Sequence, residues 1–100
     1  MTPEGKVKKE CRAYLRRIGC YVFSPVQMGY GASTIDDLVC YRGHFIGIEY
    51  KAPGISVPTD RQDAVMNQII AAGGTAILIN NFPALVDVMC SVVSKVPVRV

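Results

Sequence analysis

The apolar positions of this chain fall into two periods. Over residues 3–18 they recur at helical spacing, with Val7, Cys11, Tyr14, Leu15 and Ile18 on one stripe. Thr2 is placed to cap that helix, Pro3 suits its first turn and Gly19 ends it. "CYVFSPV" (20–26) reads as a strand, and "QMGYGAS" (27–33) as a loop loosened by its glycines. Residues 35–41 and 44–51 form a hairpin around Arg42-Gly43. A second helix opens at the T-x-x-Q box of Thr59 and Gln62, runs to about Ala72 and stops at Gly73-Gly74. "TAILIN" (75–80) is an apolar strand, 82–93 a third helix, and "VPVRV" an extended tail. The order α-β-β-β-α-β-α predicts an α/β fold, a mixed central sheet flanked by helices.

One hundred residues, half of them apolar, predict a single domain over 1–100 with one compact core. A core this small gains from a partner subunit. The net charge is +3, but Lys6, Lys8, Lys9, Arg12, Arg16 and Arg17 crowd one short segment. Lys8, Arg12 and Arg16 align at i, i+4 spacing, a row that could follow a phosphate backbone. Cys11, Cys20, Cys40 and Cys90 have no CxxC spacing, and with one histidine they argue against zinc. They read as small buried residues in a reducing cytoplasm. "MTPEGKVKK" has no apolar leader segment, and no apolar run approaches a membrane span.

The hairpin carries charges where a strand should be apolar. Glu49 and Lys51, two apart, share a strand face with Phe45 and Gly47, which reads as the core-directed face. With a two-residue turn, Tyr41 opposes His44, Leu38 opposes Gly47 and Asp36 opposes Glu49, within about 5.5 Å at Cβ. Two opposed carboxylates repel, and a divalent cation held through oxygen would hold them together. A three-residue turn would instead pair Asp37 with Glu49, so the ligand depends on one residue of register. On the first helix, Glu4 lies within roughly 40° of the centre of the apolar stripe and so faces inward. Gln62 shares a face with Val65, Met66 and Ile69, so it leans toward the sheet, a role that competes with its capping box. His44 beside the turn reads as a surface residue.

The pattern D-x12-E-x-K of Asp36, Glu49 and Lys51 resembles the PD-(D/E)xK nuclease motif. Together, "TPEGKVK", "YLRRIG", "STIDDLVCYRGHFIGIEYKAPG", "PTDRQ" and "AAGGTAILI" resemble small stand-alone phage proteins of the VRR-NUC family, over about residues 2–80. The resemblance implies a restriction-endonuclease-like core. It also implies a site made of Glu4, Asp36, Glu49 and Lys51, supported by Gln62. One departure is Ile35, where the family usually has proline before the aspartate. The "CYRG" spacing favours Asp36 over Asp37.

The activity so implied is a Mg²⁺- or Mn²⁺-dependent DNA endonuclease. Asp36, Glu49 and the Tyr50 backbone carbonyl would ligate the metal, with Glu4 joining directly or through a water. Lys51 would orient the attacking water or neutralise developing charge. The implied products carry 5′-phosphate and 3′-hydroxyl ends. Lys8, Arg12, Arg16 and Arg61 are the candidate DNA contacts, with Tyr30 stacking on a base. Stand-alone members resemble dimeric Holliday-junction resolvases, and a homodimer suits a four-way junction by symmetry. The stripe of Phe82, Leu85, Val86, Met89, Val92 and Val93 offers interface material. The alternative is a DNA-binding module that keeps the fold without turnover. Phage origin would place the protein in a bacterial host's cytoplasm.

Overall fold

The computed structural model describes residues 1–26 and 34–93. The expected loop with Tyr30 and the expected extended tail lie outside the described residues. Helix α1 spans Pro3–Arg17. The Thr2 hydroxyl accepts the Gly5 N–H at 3.0 Å, proline sits in the first turn, and Gly19 closes the helix at φ +94°. Strand β1 (Tyr21–Phe23) is shorter than the expected 20–26. Pro25 has no N–H to donate, and the Ser24 side chain is turned to Asp37 rather than continuing a ladder. Strands β2 (Asp37–Tyr41) and β3 (His44–Tyr50) form the hairpin. At its turn Arg42 (φ +49°) and Gly43 (φ +85°) take the double positive φ of a two-residue hairpin loop.

Helix α2 (Asp60–Ala71) carries the chain over to β4 (Thr75–Ile79), and α3 (Phe82–Val93) follows. The sheet order is β1-β2-β3-β4, antiparallel through β3 and parallel between β3 and β4. The element order is the one the periodicity predicts.

The two faces of the sheet differ from expectation. The core lies on the face of Val39, Tyr41, Ile46, Ile48 and Tyr50, against Val7, Cys11 and Leu15 of α1 and Leu85, Met89 and Val92 of α3. The Phe45–Gly47–Glu49 face, expected to be core-directed, carries α2 instead, and Phe45 remains 47% exposed. Strand alternation alone assigns two faces without saying which one the longer apolar helices cover. Gly47 lets that second face close. A Cβ there would stand 2.5 Å from Ile35 Cδ1 and 2.7 Å from Ile69 Cδ1. Ile35 is fully buried, so this small second cluster roofs the strand beside Glu49.

Three further expectations are corrected. The α3 stripe offered as interface material is filled by the chain's own core: Leu85, Met89 and Val92 are buried, and Phe82 packs edge-on against Tyr14 at 5.3 Å. Cys40 and Cys90 are exposed; Cys11 alone is fully buried. Burial pushes the Cys11 and Cys20 thiols up to about 11, so neither is a reactive thiolate at neutral pH. His44 is half-buried rather than a surface residue, and its Nε2 has no partner among the described residues.

Candidate active site

The charged group forms where β2 begins and β3 ends. The hairpin register pairs Tyr41 with His44, Leu38 with Gly47 and Asp37 with Ile48. The next step along the same ladder sets Asp36 against Glu49. The Asp36 N–H donates to Glu49 Oε1 at 3.3 Å, and the Tyr50 N–H donates to Asp36 Oδ2 at 2.9 Å. The two-residue turn thus decides between the neighbouring aspartates: Asp36 meets Glu49, and Asp37 points to the opposite, α1-facing side. Lys51 follows Glu49, its backbone N–H held by Ile79 O at 2.9 Å and its Nζ 4.0 Å from Glu49 Oε2.

Glu49 is only 4% exposed. Burial, and then the negative charge of Asp36 beside it, push its carboxyl up to about 7; Lys51 and the Asp36 N–H only partly offset this. On the α2 side the Gln62 Nε2 donates to Glu49 Oε2 at 2.9 Å. The same side chain completes the helix cap. Its Oε1 accepts the Thr59 N–H at 2.9 Å, while Thr59 Oγ1 accepts the Gln62 N–H at 3.2 Å. The expected competition between capping and site support does not arise, because an amide has an acceptor and a donor pointing apart.

From α1, Lys8 Nζ lies 3.6 Å from Asp36 Oδ1 and 3.9 Å from Glu4 Oε2. The Glu4 side chain, expected to face inward, is 45% exposed, and Lys8 stands between it and Asp36. Among the described residues no group of three His, Cys, Asp or Glu side chains is arranged to hold a metal ion. The donors that converge are Asp36 and Glu49. They are hard oxygen ligands, and burial first, then repulsion from Asp36, disfavours the charged form of Glu49. That donor chemistry fits a divalent ion of the magnesium type, which commonly takes one or two carboxylates and fills its remaining positions with water and phosphate oxygens.

Arg12 departs from its expected place in a phosphate-facing row. Its guanidinium reaches Asp37 through Nε at 3.1 and 2.9 Å and through Nη2 at 2.8 Å. Ser24 Oγ at 2.6 Å and the Tyr50 hydroxyl at 2.8 Å donate to the same carboxylate. Burial alone would raise the Asp37 pKa, but these three partners together outweigh it and hold the carboxyl below its ordinary value. Burial, with the Asp37 charge next, drives the Tyr50 hydroxyl far up. Sequence reasoning missed this group. The available signal was a charge on the same strand face as Val39 and Tyr41, which must find a buried partner. Arg16 and Arg61 are exposed, and Tyr30 lies outside the described residues.

Comparison with known proteins adds one finding. No protein-family profile matches the sequence, and no curated protein does. Among solved structures, a protein described as a "VRR_NUC domain" superposes with a TM-score of 0.75 at 21% identity, covering 89% of this chain and 96% of the other. That likeness establishes the fold: a mixed four-stranded sheet with three helices, in the restriction-endonuclease-like form.

Proposed function

We propose that this protein is a Mg²⁺- or Mn²⁺-dependent, structure-specific DNA endonuclease that hydrolyses phosphodiester bonds. The observation that carries the reading is the Asp36–Glu49 pair, a half-buried carboxylate set against a buried one. Two carboxylates are held together at a sheet end, beside Lys51, on a fold shared with a VRR_NUC domain. In this reading Asp36, Glu49 and the Tyr50 carbonyl hold the cation, with Glu4 reached through a water. When bound, the cation would polarise the phosphate and lower the pKa of a bound water.

The chain's own groups have separate tasks. Gln62 fixes the rotamer of Glu49 from α2. Lys51, tethered to β4 by its backbone and only 15% exposed, brings its ammonium to the edge of the pair. There it orients the attacking water or neutralises charge developing on the phosphoryl oxygens. Lys8 balances Asp36 and Glu4. Arg16, Arg61 and Tyr30 are the proposed DNA contacts; Arg12 is omitted because its guanidinium is held on Asp37.

Branched DNA, with the four-way junction as its simplest symmetric form, is the proposed substrate. A homodimer belongs to this reading through the symmetry of that substrate, since the α3 stripe is taken up internally. Phage origin and a host-cytoplasm location belong to it as well. The test is cleavage of a labelled four-way junction, beside flaps and plain duplex, with Mg²⁺. Metal-dependent cuts leaving 5′-phosphate ends, abolished by Glu49→Ala, are expected. Binding without cleavage, unchanged by Glu49→Ala, would replace this reading with the DNA-binding module.

A further inference from the structure

Asp37 is fully buried, and the chemistry proposed above does not use it. Its carboxylate nevertheless gathers partners from three separate segments: Arg12 on α1, Ser24 after β1 and Tyr50 at the end of β3. Arg12 also stands over the Tyr50 ring, its guanidinium carbon 5.7 Å from the centroid. Replacing a buried ion pair with apolar residues of similar volume is often neutral or stabilising; the best-attested use of such a pair is to fix registry. What this pair fixes can be read from Tyr50.

Tyr50 is held from both sides by adjacent aspartates. Its backbone N–H donates to Asp36 at 2.9 Å, and its hydroxyl donates to Asp37 at 2.8 Å. It stands between Glu49 and Lys51. A slip of β2 by one residue would exchange the faces of Asp36 and Asp37. Glu49 would then face the wrong aspartate, and Arg12 would lose its partner. Arg12 also fixes the rotation of α1, the helix that presents Lys8 and Glu4 to the site one and two turns earlier.

We infer that Arg12, Asp37 and the Tyr50 hydroxyl form a register lock whose task is to position Asp36 against Glu49 for cation binding. They are positioning residues. The inference rests on the nuclease reading of the Asp36–Glu49 pair, and it assigns a use to a buried ion pair that packing alone does not require.

The experiment compares the wild type with Tyr50→Phe and with the double variant Arg12→Met/Asp37→Leu. Three quantities are read: the metal-free melting temperature, the Mn²⁺ dissociation constant by calorimetry, and kcat and KM on a four-way junction. The double variant removes both charges and leaves apolar side chains of similar length. It leaves the Tyr50 hydroxyl without its acceptor, so it should melt modestly below the wild type, while binding Mn²⁺ about 10- to 100-fold more weakly, with kcat reduced and KM little changed. Restoring polarity as Arg12→Lys/Asp37→Glu should recover part of the affinity. A double variant that binds Mn²⁺ and cuts like the wild type would overturn the lock.

Should the double variant fail to fold, Tyr50→Phe decides, because it deletes one oxygen. Unchanged Mn²⁺ affinity and kcat there would overturn the proposal as well. A wild type that neither binds Mn²⁺ nor cuts would defeat the nuclease reading itself. In that case hydrogen exchange at the Tyr50 amide decides the register claim. Protection lost in the variants supports the lock, and protection kept removes it.

Discussion

Asp37 and Glu49 are both buried, and they lie one step apart on the same ladder, yet their surroundings treat them in opposite ways. Asp37 faces α1 and collects donors from Arg12, Ser24 and Tyr50, which together hold its pKa down against burial. Glu49 faces α2, receives one amide donor from Gln62 and a lysine at 4.0 Å, and is pressed against another carboxylate, which with burial drives its pKa up. The contrast separates a carboxylate satisfied within the fold from one left short of positive charge. Burying an ion without full compensation costs stability, and proteins accept that cost mainly where function needs it.

The comparison predicts that substitutions beside Glu49 act first on the chemistry, while leaving a charge unpaired on the Asp37 side acts first on stability. The largest effect belongs to Lys51→Ala. It should lower kcat by at least about 100-fold with DNA binding retained, measured by single-turnover cleavage and a gel-shift titration. A variant that cuts at the normal rate would remove Lys51 from its role.

On the other side, Asp37→Ala strands the Arg12 guanidinium. It should destabilise the protein by about 3 kcal/mol, at the low end for a broken buried pair because Arg12 keeps some contact with solvent. Urea unfolding measures it. A loss below about 1 kcal/mol would mean that water satisfies Arg12 as well as Asp37 does.

The third prediction sets the sign for Glu49. Its folded pKa lies near 7, above its ordinary 4.5, so the charged form is penalised in the folded state. The metal-free wild type therefore loses stability as pH rises from about 4.5 through 7. Glu49→Gln should be the more stable protein at pH 8 in chelator, by about 2 kcal/mol, and the gap should close toward pH 4.5. Adding Mn²⁺ should reverse the order, since only the wild type gains a bound ion. A wild type more stable than the variant at pH 8 without metal would show that the repulsion is relieved internally.

Smaller effects follow. Gln62→Ala removes half of the capping box as well as the donor to Glu49, and should lower stability by about 1 kcal/mol. Arg16→Ala touches neither carboxylate. It should leave stability unchanged and reduce the salt slope of DNA binding by about 1.

Much of this contrast was legible along the chain. Arg42-Gly43 pointed to a two-residue turn and so to Asp36 against Glu49, with a three-residue turn and Asp37 as the open alternative; the observed turn and register decide for Asp36. The Thr59–Gln62 box marked the start of α2. The choice of core face was not legible, because β3 alternates Phe45, Gly47 and Glu49 with Ile46, Ile48 and Tyr50, and either set could be read inward. By spacing, Arg12 belongs to the row suited to a phosphate backbone. Only the packing of α1 on the sheet turned it onto Asp37. Spacing sets the two roles of Gln62 in competition, and α2 resolves it by placing the amide between both partners.

What the sequence determined by itself was therefore short-range: helix stripes, caps, the hairpin turn and the pairing that turn dictates. These depend on backbone dihedrals and spacings of a few residues, which local side chains set directly. Tertiary structure decided which charges are compensated. That depends on how far a helix is rotated and how deeply a strand end is covered, and residues 25 positions apart, such as Arg12 and Asp37, settle it only when they meet.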